Sequence, residues 1–333
     1  MSPKNDSILV VDLDGTLISS DILIESFWSA LAKDWRILFT SILALCEGRL
    51  AFKNYLAKLS DIDFKTLPYN LEAIAHIEAH RKSSGRTILV TASNQALANK
   101  VAEHLNIFDE VYGSDTSCNL KGEIKAAFLI QNFGDNGFQY MGDSRVDLHV
   151  WKHAMKIITV NAGRSVRFKA EALGKPFEHL GKFNSSILSY IDAIRFHHWL
   201  KNLLLFVPML LSHQLNWEAL SSSCMAFIAF SLVASSIYVL NDLLDLKADR
   251  AHPRKCMRSF ASGKIPIAHG GIILIGLLCL GMLIAKLIAL SFILVLMTYY
   301  MLNIAYSFDL KQRIIIDISL LSCFFTLRIF AGS

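Results

Sequence analysis

Hydrophobic and polar positions follow different patterns in the two parts of the chain. Up to about residue 200, short apolar runs alternate with stretches that mix charged and apolar residues. From residue 203 onward the chain is mostly apolar, and several runs approach the ~20 residues needed to cross a bilayer. The pattern therefore predicts a soluble domain of residues 1–180, a connector of residues 181–200 and a membrane domain of residues 201–333.

Three short apolar runs in the first part, residues 8–14, 87–91 and 156–161, are separated by helical stretches. This alternation predicts an α/β doubly wound, Rossmann-like core with a parallel sheet. A long insert, residues 21–71, has apolar residues at helical spacing and predicts a helical cap over the strand ends. Its run from Trp35 to Leu45 is too short to span a bilayer, so we expect it to pack inside the cap.

Five apolar runs in the second part predict an all-α polytopic transmembrane domain. They cover residues 202–212, 220–240, 268–287, 288–306 and 314–332. Lys and Arg concentrate in the loop 241–266 and at Lys311 and Arg313. The positive-inside rule therefore places these loops and the N-terminal domain in the cytosol, and we expect an integral protein of the cytoplasmic membrane.

Composition narrows the classes of function. Hydrophobic residues make up 53% of the chain, a content that is consistent with a protein in contact with a lipid bilayer. The formal net charge of +5 is modest and forms no continuous basic stripe, so we expect no nucleic acid partner. The six cysteines lack metal-ligand spacing, which argues against zinc and against a disulfide framework.

The first apolar run ends in a pair of carboxylates, Asp12 and Asp14, within the sequence DLDGT. In a parallel sheet this position lies at the carboxyl end of a strand, where such folds bind ligands. Thr91 ends the second run, and Lys125 opens a predicted helix further along the chain. These side chains are therefore expected to share one edge of the sheet.

A second acidic sequence, GDSRVD, follows the apolar run from 138 to 141 and contains Asp143 and Asp147. Phosphoryl transfer through an enzyme carboxylate needs a nucleophilic aspartate, a hydroxyl and an ammonium to neutralise phosphoryl oxygens, and further carboxylates to hold Mg²⁺. All of these residue types occur here in order. Over about residues 6–165 the chain resembles the haloacid dehalogenase superfamily of phosphohydrolases.

The resemblance implies a role for each side chain in the hydrolysis of a phosphorylated small molecule. Asp12 is expected to be the nucleophile, and Asp14 the general acid and base. Thr91 and Lys125 are expected to bind the phosphoryl group. The site for the Mg²⁺ cofactor is expected to use four carboxylates: Asp12, Asp14, Asp143 and Asp147.

Two of these positions have rivals. Lys121 is an alternative to Lys125, and Ser93 is an alternative to Thr91. We prefer Lys125 because the apolar positions within 126–129 place it on a helix that packs on the core. The sequence of the cap does not indicate which phosphorylated compound is the substrate.

A third acidic sequence, NDLLDLKADR, begins at Asn241 directly after the second predicted span. On a continuous helix its acids Asp242, Asp245 and Asp249 fall within an arc of about 60°. Like charges so placed repel unless cations bridge them, and Mg²⁺ carrying a diphosphate would do so; an ordinary solvated helix end is the alternative. The remaining phosphate oxygens are expected to contact basic residues: Lys201, Arg254, Lys255, Arg258 and Lys264.

This acidic sequence resembles the first aspartate-rich motif of the UbiA-type prenyltransferases. Segments 195–202, 241–263 and 306–311 are most similar to the decaprenyl-phosphate phosphoribosyltransferase branch of that family. Members of the branch join a polyprenyl phosphate to phosphoribosyl pyrophosphate, so the resemblance implies these two substrates. The product keeps a 5-phosphate, which a fused phosphatase can remove.

The chain departs from the pattern of that branch at several positions. Phe196 and His198 stand where Pro and Gln are usual, and Ser259 stands where Pro is usual. The resemblance covers about five of nine spans and stops before the second acidic motif, so we expect a C-terminally truncated transferase half. The alternative function is a membrane-anchored phosphatase whose C-terminal half is only an anchor or interaction module, and an assay of transferase activity distinguishes the two.

Overall fold

The structure, a computed structural model, describes residues 7–115, 118–181, 186–213, 216–308 and 314–332, with residues 314–318 and 321 described in their backbone only. The chain divides into two compact units. The first unit comprises Met1–Ser185, Arg250–Cys256 and Ala261–Pro266. The second unit comprises Ser186–Asp249, Met257–Phe260 and Ile267–Ser333.

A six-stranded sheet with parallel pairing throughout forms the centre of the first unit, in the strand order β3-β2-β1-β4-β5-β6. The strands are β1 (Ile8–Val11), β2 (Arg86–Asn94), β3 (Glu110–Ser114), β4 (Phe138–Gly142), β5 (Lys156–Val160) and β6 (Phe177–Leu180). The predicted α/β doubly wound core is therefore confirmed. The strand order reverses at β1, and ligands bind beyond the carboxyl ends of strands at such a reversal.

The described residues of the first unit also form helices, and some of these cover the two faces of the sheet. The helices are α1 (Ile22–Lys33), α2 (Ile37–Cys46), α3 (Arg49–Leu59), α4 (Leu71–Lys82), α5 (Gln95–Leu105), α6 (Glu123–Phe133), α7 (Leu148–Trp151) and α8 (Arg164–Glu171). Successive residues of β1 point to opposite faces, so that Leu9 and Val11 lie in one hydrophobic core and Val10 lies in the other. Leu97 of α5 belongs to the first core and Leu129 of α6 to the second.

The insert between β1 and β2 contains four helices. Helices α1, α2 and α3 lie within the residues predicted to form the cap, and α4 begins at the end of that range. Helix α1 begins after Asp21, whose side chain accepts hydrogen bonds from two backbone N–H groups of the first turn. Helix α2 differs from the expectation. Its buried residues are Ile37, Ser41 and Ala44, whereas most of its large apolar side chains are exposed. The prediction that this run packs inside the cap is therefore wrong.

The second unit is helical. Its elements are α9 (Ile187–Ala193), a 3-10 helix (Phe196–Phe206), α10 (Val207–Leu211), α11 (Trp217–Leu244), α12 (Leu246–Ala251, shared with the first unit at its end), α13 (Ile267–Lys286), α14 (Leu290–Phe308) and α15 (Ile314–Ala331). Three of the described helices, α11, α13 and α14, are long and apolar enough to cross a membrane. They coincide with three of the five predicted spans.

The first predicted span, 202–212, differs from the structure. A 3-10 helix ends there at Phe206, and the five-residue helix α10 follows, with Pro208 in its first turn. Proline has no backbone N–H to donate, which suits the first turn of a new helix and not the interior of a long one. The sequence 202–212 is therefore not a continuous span-length helix.

Helix α11 contributes many of the buried residues in the hydrophobic core of the second unit. Ala229, Phe230 and Val233 are fully buried in it. At Gly281 of α13 an added Cβ would meet the side chain of Val233 and the carbonyl oxygen of Ala229. Glycine is required at this position because the two helices approach so closely, which is the usual way that helices pack inside a membrane.

Candidate functional site

The carboxyl end of β1 is where the predicted catalytic acids meet. The backbone N–H of Asp12 donates to the carbonyl oxygen of Met141 at 3.0 Å, which fixes the end of β1 beside the end of β4. Gly15 then has φ of +78°, and an added Cβ there would meet the carboxylate of Asp143. Glycine alone permits both the backbone conformation and this approach.

Lys125 supplies the positive charge of this site. Its side chain is buried, its Nζ lies 2.9 Å from Oδ1 of Asp12, and it donates to the hydroxyl of Tyr140 at 3.0 Å. Burial raises the pKa of Asp12, while the charge of Lys125 acts in the opposite direction. Lys121, the rival from the sequence, is exposed and precedes α6. The structure thus places Lys125 beside the predicted nucleophile.

Three carboxylates form a group that can hold a metal ion. Asp12, Asp143 and Asp147 each offer one oxygen, and these atoms all lie within 4.8 Å of one another. The pKa of Asp143 is raised to about 8, mainly by burial and next by repulsion from the charge of Asp147. A divalent cation would relieve this repulsion, and carboxylate oxygens are the ligands that Mg²⁺ prefers. The donor set therefore fits Mg²⁺.

Hydrogen bonds fix the orientation of Asp147 within this group. Its Oδ1 accepts from the Tyr140 hydroxyl at 2.9 Å, and its Oδ2 accepts from the N–H and the hydroxyl of Ser144 at 2.9 and 2.8 Å. Tyr140 thus joins Lys125 to Asp147. The sequence offered no sign of this role, because Tyr140 lies inside a strand and reads as a core residue.

Asp14 lies outside the three-carboxylate group, although the sequence predicted it as a metal ligand. Its Oδ1 accepts from the N–H of Ile22 at 2.7 Å, and its Oδ2 accepts from the hydroxyls of Ser93 at 2.5 Å and Thr91 at 3.5 Å. Burial, then the charge of Asp21, raises the pKa of Asp14 to about 7. A carboxyl with this pKa can both donate and accept a proton near neutrality.

Lys53 of the cap helix α3 was missed by the sequence analysis. Its Nζ donates to the carbonyl oxygen of Ala92 at 2.6 Å and to the side chain of Asn119 at 3.0 Å. Burial lowers the pKa of Lys53, and the charge of Asp14 partly opposes this effect. No motif marked this lysine, because only the folded cap brings it to the carboxyl end of β2.

A second charged cluster lies at the end of α11 in the second unit. Arg258 Nη1 lies 2.6 Å from Oδ2 of Asp249 and 3.2 Å from Oδ1 of Asp242, and Arg195 also pairs with Asp242. Both aspartates are buried. The expected continuous helix differs from the structure, because α11 ends at Leu244 and α12 begins after Asp245.

The other residues predicted for this site are less buried than Asp242 and Asp249. Asn241 and Asp245 are half-buried, and Lys201 is exposed. Three further predicted phosphate ligands are exposed and fall in segments of the first unit: Arg254, Lys255 and Lys264. Arg195, by contrast, was missed as a site residue, although it opens the basic aromatic sequence RFHHWLK.

The second unit also contains a buried arginine on α15. Arg328 is 5% exposed, and its Nε donates to Oδ1 of Asn202 at 2.8 Å. Its Nη1 donates to the carbonyl oxygen of Phe324 at 2.9 Å, and its Nη2 donates to the hydroxyl of Tyr299 at 3.3 Å. These bonds tie α15 to α14 and to the 3-10 helix of the same unit.

Comparison with known proteins assigns the two parts of the chain. Residues 9–152 match the family model of haloacid dehalogenase-like hydrolases, and residues 203–333 match that of the UbiA prenyltransferase family. Over 97% of its length the chain is 36% identical to the uncharacterized protein y4nM of Sinorhizobium fredii, of which it covers 63%.

Shorter matches cover less than half of the chain. A stretch of 146 residues, 44% of the chain, is 38% identical to the nodulation protein NoeC of Azorhizobium caulinodans and covers 48% of it. A stretch of 153 residues, also 44% of the chain, is 33% identical to decaprenyl-phosphate phosphoribosyltransferase of Mycobacterium tuberculosis and covers 50% of that protein. The chain thus spans between about half and two thirds of these relatives.

The family matches agree with the architecture of the two units. The first match contains Asp12, Asp14, Asp143 and Asp147, which follow β1 and β4 of the parallel sheet. The second match contains every residue of the three described helices that are long and apolar enough to cross a membrane. The chain therefore joins a domain of the haloacid dehalogenase-like hydrolase family to a domain of the membrane-integral UbiA prenyltransferase family.

Proposed function

We propose that the first unit, with a domain boundary near residue 180, is a Mg²⁺-dependent phosphomonoester hydrolase. The observation that carries the proposal is the position of Asp12, which lies 2.9 Å from the buried ammonium of Lys125 and within the three-carboxylate group. Asp12 therefore lies between the fixed charge of Lys125 and a group that can bind a metal cation. Both positive charges would reduce the repulsion between the Asp12 carboxylate and a phosphate dianion, which favours attack on phosphorus.

The proposed reaction has two steps. A carboxylate oxygen of Asp12 attacks phosphorus, the bond from phosphorus to the substrate oxygen breaks, and Asp14 donates a proton to the leaving oxygen. Asp14 then accepts a proton from a water molecule that attacks the aspartyl-phosphate, which releases inorganic phosphate and restores Asp12. Lys125 and the Thr91 hydroxyl neutralise the phosphoryl oxygens. Mg²⁺ held by the three-carboxylate group would stabilise the same developing charge.

The cap supports a substrate that carries a second polar or anionic group. Lys53 reaches the carboxyl end of β2 from α3, and its charge interacts with that of Asp14. A cap cation whose charge interacts with that of Asp14 can bind the part of the substrate that is not cleaved. A phosphorylated sugar meets this requirement.

Metal dependence is the direct test of the hydrolase. The full chain in detergent should hydrolyse p-nitrophenyl phosphate and ribose 5-phosphate with Mg²⁺, and EDTA should lower the rate by roughly 100-fold or more, because the metal neutralises charge on the nucleophile and the phosphoryl group. Mg²⁺ added in excess should restore the rate. Equal rates of phosphate release in EDTA and in Mg²⁺ would contradict the assignment.

The second unit acts as a transferase in this proposal. Its match to the UbiA family and the buried pair Asp242 and Asp249 support Mg²⁺-dependent binding of a diphosphate at the end of α11. In the structure Arg258 bridges the two carboxylates. Asp242 and Asp249 would hold Mg²⁺ in place of this ion pair, and the guanidinium of Arg258 would then be able to bind a phosphate oxygen.

Polyprenyl phosphate and phosphoribosyl pyrophosphate are the proposed substrates, since the M. tuberculosis relative is a decaprenyl-phosphate phosphoribosyltransferase. Transfer of a 5-phosphoribosyl group leaves a phosphomonoester on the product, which is the class of bond that the first unit would hydrolyse. The proposed location is the cytoplasmic membrane, with the hydrolase unit in the cytosol, because the positive-inside rule assigns the loops rich in Lys and Arg to that side.

A binding measurement tests the second unit. Asp249→Asn should weaken Mg²⁺-dependent binding of radiolabelled phosphoribosyl pyrophosphate by about tenfold or more, because it removes a carboxylate from the metal site. Asp192→Asn, a change of the same chemistry at an exposed position of α9, is the matched control and should bind like the parent chain. Equal affinities of the Asp249 variant and the control would contradict the site.

A further inference from the structure

The cap helix α2 presents large apolar side chains to solvent. Trp35, two residues before the helix, and five residues of the helix are between 46% and 67% exposed. The five helical residues are Leu38, Phe39, Ile42, Leu43 and Leu45. Single exposed apolar residues are normal on protein surfaces, but a contiguous set of this size marks a surface that binds something.

The buried face of α2 consists mostly of small side chains. Ile37, Ser41 and Ala44 are its buried residues, and they recur at helical spacing. A surface helix of a soluble domain turns its large apolar residues inward and its polar residues outward. In α2 most of the large residues point outward, and none of the ten residues from Ile37 to Cys46 is charged.

We infer that α2 lies in the interfacial region of a lipid bilayer, with its exposed face among the acyl chains. A protein partner would be expected to find hydrogen-bonding groups on such a face, at about one bond per 100–200 Å². The hydroxyl on this face, that of Thr40, is already engaged, since it accepts from the Tyr55 hydroxyl at 2.6 Å. Acyl chains offer no hydrogen bonds, and the face of α2 requires none.

The ends of α2 fit the same position. Trp35 and Arg36 stand at its start, and an indole ring and a guanidinium are typical of the level of lipid headgroups. Glu47 follows its last residue, so the charges lie at the ends and not on the apolar face. The chain also contains three helices able to cross a membrane, so the cap is tethered to a bilayer. The apolar face of an interfacial helix is buried about 5–10 Å into the boundary between headgroups and acyl chains.

Quenching by labelled lipids tests this position. The six native cysteines are replaced by serine, a single cysteine is introduced by Leu43→Cys, and an environment-sensitive fluorophore is attached to it. The full chain is placed, one copy per nanodisc, in phosphatidylethanolamine and phosphatidylglycerol with or without nitroxide-labelled acyl chains. Phe168→Cys on α8 is the matched control, because Phe168 is 73% exposed and Leu43 is 67% exposed. Phe39→Cys provides a second position on α2.

The label at position 43 or 39 should show blue-shifted emission and at least roughly threefold stronger quenching by the nitroxide lipids than the label at position 168. Blue-shifted emission without lipid quenching would mean that protein covers α2, either the chain itself or another molecule, and would overturn the inference. Emission typical of water at both α2 positions would overturn it as well. Elution of each variant at the volume of the parent chain establishes that the variants are folded.

Discussion

Asp12→Asn is expected to lower phosphomonoester hydrolysis by the full chain by roughly 10⁴-fold or more, the scale that removal of a catalytic nucleophile produces. The amide is a poor nucleophile and cannot form the aspartyl-phosphate. It also removes one oxygen ligand from the three-carboxylate group and the ion pair with Lys125. The measurement is release of inorganic phosphate from p-nitrophenyl phosphate in Mg²⁺.

Asp14→Asn separates the two proposed roles. This variant keeps the nucleophile but loses the proton carrier, whose pKa of about 7 suits exchange near neutrality. p-Nitrophenolate leaves readily without a proton, so phosphorylation of Asp12 should continue while the second step slows. Acid quenching with ³²P-labelled substrate should therefore trap a phosphoenzyme in Asp14→Asn and none in Asp12→Asn. A phosphoenzyme in Asp12→Asn would contradict the assignment of the nucleophile.

The parts of the hydrolase that could be predicted from sequence are those that local chemistry determines. Asp12 follows a strand whose residues are all apolar, so its place at the carboxyl edge of the sheet follows from the direction of the chain. Lys125 was preferred over Lys121 on the spacing of apolar residues in α6, and the structure buries it beside Asp12. In both cases a short segment contains the information.

Other contacts depend on distant segments that no local pattern joins. Lys53 meets Ala92 only because the cap folds over the sheet, and Arg195 meets Asp242 across many intervening residues. The end of α11 at Leu244 could not be predicted, because apolar residues at helical spacing continue from α11 into α12. The outward face of α2 could not be predicted either, since an apolar run does not show whether protein or lipid covers it.

Lys125→Met is the second change with a large expected effect, a fall in kcat of about 10²–10³-fold. Methionine is apolar and similar in length, so it can fill the buried space without introducing a charge. The variant would leave Asp12 without the ammonium that lies 2.9 Å from it, and the phosphoryl oxygens would lose one neutralising charge. The Tyr140 hydroxyl, which accepts a hydrogen bond from Lys125, would lose that donor while still holding Asp147.

Lys121→Met is the matched control for this prediction, because it makes the same chemical change at the rival lysine, which is exposed. Its kcat should stay within about threefold of the parent chain, since a charge in contact with water is strongly screened. Steady-state kinetics with p-nitrophenyl phosphate at saturating Mg²⁺ measures both variants. A large loss in Lys121→Met together with a small loss in Lys125→Met would show that the exposed lysine binds the phosphoryl group in the reacting complex. In that event the buried pair of Lys125 and Asp12 would be a structural ion pair, and the proposed geometry of attack would have to be rebuilt around Lys121.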